Sequence, residues 1–184
     1  PLDRNWAVVH EQSDVDGSKW VPCRNFSRVA KAPQLAAIST TWSPDKKLKL
    51  SHPSIKTICI DPDIDSDAFI SWVSPLMPEG RAASRKLVRS AQTGMTDTDF
   101  PSISIGNLAS HREVEKQVGV KLSLLRWRCN LWIDGCKPWD EHKWIGKSLQ
   151  IGNVTFKIEE EIVRCLATTA NPMSGERDVD TLGT

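Results

Sequence analysis

The first ninety residues run as short alternations of apolar and polar positions. Trp6-Ala7-Val8-Val9-His10 predicts a strand and Gln34 to Thr41 a second. Lys47 to Leu50 and Ile55 to Ile60 repeat with a period of two and predict two more. Pro33, Pro44 and Pro53 fall between these runs, where no ladder bond is lost. Asp16-Gly17 carries hairpin-turn chemistry, because Gly tolerates positive φ. The acidic run Asp61 to Asp67 reads as a solvated turn entering a helix capped by Ser66 or Asp67. Phe69, Ile70 and Val73 share the buried face of that helix, which ends by Ser74, before Pro75. A calcium loop is the sharper alternative for the acidic run, but the required Gly and closing Glu are missing. Pro75 to Ala83 reads as a loop, and Lys86-Leu87-Val88 as a short strand.

The stretch from Ala91 to Phe100 is polar and turn-rich. It places a boundary between a domain at residues 1–95 and a second at 96–184. Beyond it lies the clearest helix of the chain. Ser110 and Glu113 have capping-box spacing, Asn107 is a competing cap, and Gly119 stops the helix. Leu108, Val114 and Val118 form its apolar stripe. Arg126 to Asp134 then predicts a strand, and Leu149 to Ile151 with Val154 to Val163 a hairpin around Gly152-Asn153. Val154, Phe156, Ile158 and Ile162 are its core candidates. Glu159 to Glu161 break the alternation, as at a bulge or a solvated edge. The pattern as a whole gives a mainly β fold with a few short helices.

Composition narrows the function classes. The chain has 184 residues, with 24 Lys and Arg against 23 Asp and Glu, a net charge of +1. That balance argues against nonspecific nucleic-acid binding, which needs a basic footprint. No apolar run approaches the roughly 20 residues of a membrane-spanning helix. The five cysteines are odd in number and have no CxxC spacing. A disulfide scaffold or structural zinc site is therefore not expected, and a reducing, cytoplasmic compartment is. The first residue is Pro1, not Met, so a missing N-terminal piece is expected.

No Walker loop, Rossmann fingerprint, Gly-x-Ser-x-Gly elbow or His-Glu-x-x-His helix is present. The four histidines, at 10, 52, 111 and 142, are scattered. Cys165 stands apart from the other cysteines. It follows Arg164, ends a predicted strand and precedes Thr168-Thr169 and the Asn171-Pro172 turn. A neighbouring guanidinium favours the thiolate, a soft donor suited to a soft or high-valent metal. An inert thiol remains the alternative. Arg4, Arg126, Arg128, Arg164 and Arg177 are candidate anion clamps, with Thr168, Thr169, Ser174 and Asn130 as neutral donors.

These residues also carry a family likeness. Arg126-Trp127-Arg128-Cys129-Asn130-Leu131-Trp132-Ile133-Asp134-Gly135 resembles the "RFRPNIVVDG" segment of MOSC domains, which are named for the C-terminus of molybdenum cofactor sulfurase. Pro138-Trp139-Asp140-Glu141, Trp144-Ile145-Gly146 and Leu149-Gln150-Ile151-Gly152 resemble that family's "PFxEDxWxGxxLxIG". Arg164-Cys165 with Thr168-Thr169, Pro172 and Gly175 resembles its "RCxxTTxDPxTG". Asp3-Arg4-Asn5-Trp6-Ala7-Val8-Val9 resembles the "DRxWxLV" opening of the β-barrel domain that precedes MOSC. The resemblance departs at Cys129, where the family has Pro, and at Val163, where relatives often carry Ser. It also implies closing strands beyond residue 184, and so a C-terminally incomplete MOSC domain.

The resemblance implies barrel-like sheets and a molybdopterin-type molybdenum cofactor in a cleft between two domains. It implies Cys165 as the metal ligand. Arg128 and Asn130 would contact the pterin or its phosphate, supported by Arg4 and Arg164, with Thr168 and Thr169 in the same motif. The best-known catalytic relatives, the amidoxime-reducing proteins, reduce N-hydroxylated small molecules with electrons from a separate or fused redox partner. Other members act in sulfur transfer, so a non-redox carrier with a persulfide on Cys165 is the alternative. Pyridoxal phosphate is not expected, since no lysine motif supports it.

Overall fold

The computed structural model describes residues 4–91 and 94–183. Asp3 of the opening motif, part of the turn-rich stretch at 91–100, and Thr184 lie outside them. Two compact units emerge. The first comprises residues 1–102 with 170–178, the second 103–169 with 179–184.

In the first unit β1 (Trp6–His10) pairs antiparallel with β5 (Ser84–Arg89). A second sheet takes β2 (Ser39–Trp42), β3 (Leu48–His52) and β4 (Ile55–Ile60) in the order β2-β3-β4. Helix α1 (Ser66–Val73) packs on them through buried Phe69 and Val73, which join Leu50, Ile60 and Leu76 in one apolar core. Ile70 lies beside that core, half-buried. Val8 of β1 and Leu87 of β5 pack against the same cluster, so one core serves both sheets.

Several predicted elements differ. The strand expected over Gln34 to Thr41 is a 3-10 turn at Pro33–Ala37 followed by β2. Pro33 fixes φ at the start of that turn and has no N–H to give a ladder. Asp16-Gly17 joins no hairpin, since β1 pairs with β5, far along the chain. Gly17 has φ 86°, and a Cβ there would clash with the Arg89 carbonyl oxygen. Neither Ser66 nor Asp67 caps α1. Asp65 is the N-cap residue, and the Ser66 hydroxyl accepts the Leu87 N–H at 2.9 Å, tying the helix to β5. The acidic run is a turn held by its own side chains, with Asp63 N–H on Asp61 Oδ1 and Asp61 N–H on Asp65 Oδ2. Among the described residues no group of three or more His, Cys, Asp or Glu side chains could hold a metal ion.

In the second unit β6 (Ile105–Asn107), α2 (Leu108–Val118) and β7 (Leu131–Ile133) form a strand-helix-strand crossover with a parallel pair. Asn107 wins the competition to cap. Its Oδ1 accepts the Ala109 N–H at 2.9 Å, and its Nδ2 donates to Lys137 O and Glu141. Ser110 sits inside the helix and accepts the Trp139 N–H instead. Gly119 ends α2 in the left-handed conformation, as expected. Val114 is buried on α2, while Leu108 and Val118 are only half-buried. β8 (Ser148–Ile151) and β9 (Val154–Lys157) make the expected hairpin, but its second arm stops at Lys157. Three consecutive glutamates would put charge on both faces of an extended segment. Of the expected core positions, Val154 on β9 and Ile162 beyond it are exposed.

Among the described residues the protein is thus β-rich, with two α-helices. Its sheets have two or three strands and, among the described residues, none closes into a barrel, because closure needs unbroken pairing around a ring. Among the described residues no helix is long and apolar enough to cross a membrane.

Candidate functional site

The strand expected over Arg126 to Asp134 begins only at Leu131, and the reason lies in the turn before it. Ser123 accepts the Leu125 N–H and starts a 3-10 turn, Leu124–Arg126. Arg128 then adopts φ 53°, a left-handed conformation that no strand tolerates. Beyond it Asn130 docks on Ser104. The Asn130 N–H donates to Ser104 O at 2.9 Å, while Asn130 Oδ1 accepts the Ser104 N–H at 3.0 Å and its hydroxyl at 2.9 Å. The Asn130 side-chain oxygen therefore sets the register in which β7 joins β6.

Cys165 likewise ends no strand. It opens a 3-10 turn, Leu166–Thr169, whose first carbonyl, that of Cys165, accepts both the N–H and the hydroxyl of Thr168 at 3.1 Å. Thr168 Oγ1 also meets Thr181 Oγ1 at 2.7 Å, and the Thr169 hydroxyl donates to Leu166 O. Both threonines are buried, and Cys165 is exposed.

Two arginines join these turns in opposite directions. Buried Arg126 donates through Nη1 to the carbonyls of Thr168, at 3.3 Å, and Thr169, at 3.2 Å. Arg164 donates to Trp127 O at 3.0 Å, places Nη2 3.6 Å from Cys129 Sγ, and lies over the Trp127 ring at 5.6 Å. Hydrogen bonds from a charged donor are about twice as strong as neutral ones, so the pair makes a stiff brace. The exposed thiol of Cys165 and the exposed guanidinium of Arg128 each lie one residue from a braced position.

Under this brace lies a group that sequence reasoning passed over. The Trp127 indole N–H donates to His111 Nδ1 at 2.9 Å, and His111 Nε2 lies 3.5 Å from Glu115 Oε1. The His111 ring also meets Trp132 edge-on at 5.8 Å. Burial pushes the His111 pKa down from 6.5, against the opposing pull of the Glu115 carboxylate. The Leu122 N–H and the Lys121 ammonium on Glu115 hold that carboxyl below its ordinary value. His111 and Trp127 are sixteen positions apart, and no local spacing joins them.

The expected site residues therefore divide. Cys165, Arg128, Asn130, Arg164, Thr168 and Thr169 share the second unit, on two turns braced together. Arg4 belongs to the first unit, at φ 58°, with its carbonyl accepting the Met95 N–H. Arg177 donates to Ala30 O in that unit, and Ser174 accepts the Glu176 N–H. Arg126, read as an anion clamp, is instead a buried crosslink between carbonyls.

The donor set fits a molybdenum-pterin group in kind. It offers one exposed soft thiol for a high-valent metal and one exposed guanidinium for an anion, both set on braced backbone. The oxygens of Asn130, Thr168 and Thr169 hold that backbone.

Comparison with known proteins gives two findings. The chain is similar to "Molybdenum cofactor sulfurase" of Drosophila mojavensis, 28% identical over 126 residues, which is 64% of this chain. It spans only 16% of that protein's length. The MOSC domain family matches residues 96–183, a stretch that contains Cys165 and both braced turns.

Proposed function

We propose that this chain is a molybdenum-cofactor-binding MOSC protein in which Cys165 ligates the metal and Arg128 engages the anionic part of the pterin. Arg126, Arg164, Asn130, Thr168 and Thr169 position those two residues. Residues 1–95 form a β-rich domain of the kind that precedes MOSC. The observation that carries this reading is the exposed Cys165 thiol, on a braced turn inside the matched MOSC stretch. The bound cofactor would supply two-electron oxygen-atom transfer. The protein would reduce N-hydroxylated small molecules, with electrons from a separate or fused redox protein.

The test is direct. The protein is expressed in a host that makes molybdenum cofactor, and bound molybdenum and oxidised pterin are measured per chain beside Cys165→Ala. Wild type carries both near stoichiometry and the variant loses the metal. Metal retained at the wild-type level by Cys165→Ala would overturn the assignment. The loaded protein is then offered an N-hydroxylated compound with a reduced viologen dye.

The similarity to a protein named molybdenum cofactor sulfurase favours a second reading, in which Cys165 carries sulfur as a persulfide. Intact mass would then show one added sulfur on Cys165 that a thiol reductant removes, with no turnover of N-hydroxylated compounds.

A further inference from the structure

We infer that His111 is a pH-sensitive positioning residue: its neutral ring holds Trp127, and through Trp127 the brace that sets Arg128 and Cys165. This rests on the reading of Cys165 and Arg128 as the cofactor's binding residues. It adds a device built from residues that reading does not use.

The geometry fixes the tautomer. An indole nitrogen only donates, so the 2.9 Å contact makes His111 Nδ1 the acceptor and leaves the ring proton on Nε2. Nε2 faces Glu115 Oε1 at 3.5 Å. A second proton would have to enter at Nδ1, where it meets the Trp127 N–H donor against donor. The bond then breaks, and the half-buried indole N–H loses its acceptor. Trp127 cannot move alone. Its carbonyl accepts Arg164, its ring carries the Arg164 guanidinium, and the next residue is left-handed Arg128.

The groups around His111 set the balance. From α2 come Glu115, which favours the imidazolium, and Arg112, which opposes it. Lys121, just beyond α2, opposes it and is bonded to Glu115. The loop before β7 presents Trp127 backed by Arg164, and β7 presents the uncharged edge of Trp132. Burial outweighs the Glu115 carboxylate and the hydrogen bond to the Leu122 backbone, so the ring is neutral at pH 7 and becomes charged only on acidification. Trp127 stands where the quoted MOSC segment has Phe, which has no N–H. The device therefore belongs to this chain's own pairing of Trp127 with His111.

The test uses His111→Asn, which can keep an oxygen near the Nδ1 position yet cannot titrate, and Trp127→Phe, which keeps an aromatic ring without its N–H. In the cofactor-free protein, the Trp127 indole proton is assigned by its loss in Trp127→Phe and followed by NMR. It shifts and exchanges faster as wild type is acidified below the ordinary histidine value, and it stays unchanged in His111→Asn. In protein loaded at neutral pH, molybdenum and pterin loss on the same acidification speeds up about tenfold in wild type, the scale of one hydrogen bond to a buried group. In His111→Asn it does not, and Trp127→Phe loses cofactor faster than wild type at neutral pH. An indole proton indifferent to pH overturns the inference, as does equal acid loss from wild type and His111→Asn. Protein that takes up no cofactor at any pH defeats the functional reading instead, while the indole titration still decides the role of His111.

Discussion

Arg128 combines a long charged side chain with a backbone conformation that L residues avoid. A left-handed φ costs a non-glycine residue about 1–2 kcal/mol. Arg128→Gly is therefore expected to raise stability by up to about 1 kcal/mol, since Gly also loses more freedom on folding. It should at the same time weaken cofactor retention, because the guanidinium is gone. Chemical denaturation beside a pterin assay separates the two effects, and an unchanged pterin content would remove Arg128 from the site. Arg126 predicts the opposite sign. Its side chain is buried on the Thr168 and Thr169 carbonyls, so Arg126→Ala should lower stability by about 3 kcal/mol in a denaturant titration. The sequence showed both arginines as anion clamps. Only burial separates a crosslink from a binding residue, and burial of a polar group leaves no mark in local spacing.

At the scale of elements, Asn107 is the last residue of β6 and the cap of α2, so one side chain sets where strand becomes helix. Removing a cap costs about 1 kcal/mol, and Asn107 Nδ2 also holds Lys137 O and Glu141. Asn107→Ala is expected to cost about 2 kcal/mol, while Asn107→Ser keeps the cap and recovers about half of that. Equal thermal midpoints for the two variants would show that the cap contributes little. Gly106 beside it has no room for a side chain, since a Cβ would lie 2.7 Å from the Trp132 ring. The strands β1, β3, β4 and β5, the β8–β9 hairpin and both helices were legible as periods and breakers. What failed was extent. Gln34 to Ala37, Arg126 to Asn130 and Glu159 to Val163 fall within predicted strands, yet Pro33, left-handed Arg128 and the glutamate triplet each end the pairing. Cys165 stands out in the sequence through its motif alone, whereas the contacts among Arg164, Trp127 and His111 leave no local mark, because they join distant parts of the chain.

For the molecule as a whole, the two units share one vulnerability. Each contains a histidine that burial holds below its ordinary pKa, His52 in the first and His111 in the second. His52 Nε2 meets the Gln34 carbonyl at 3.2 Å and Nδ1 accepts the Ser54 N–H, so it too is bonded as a neutral ring. For both, the unfolded chain binds a proton more readily than the folded one. Their contribution is complete above the unfolded value of 6.5 and is lost as pH falls through the lower folded values. The lowered carboxyls, Asp16, Asp45, Glu115, Asp134 and Asp140, have the same sign in a more acidic window, below their ordinary values of 3.8 and 4.5. Acidification should therefore lower the thermal midpoint in two steps, the first below neutrality and carried by the histidines. His52→Asn should shrink that first step for the first unit and His111→Asn for the second. The double variant should then hold its midpoint until the carboxyl window is reached. Because the two residues lie in separate units with separate partners, their effects should add, and a double-mutant cycle read by calorimetry across the first acid step checks this to within about 0.5 kcal/mol.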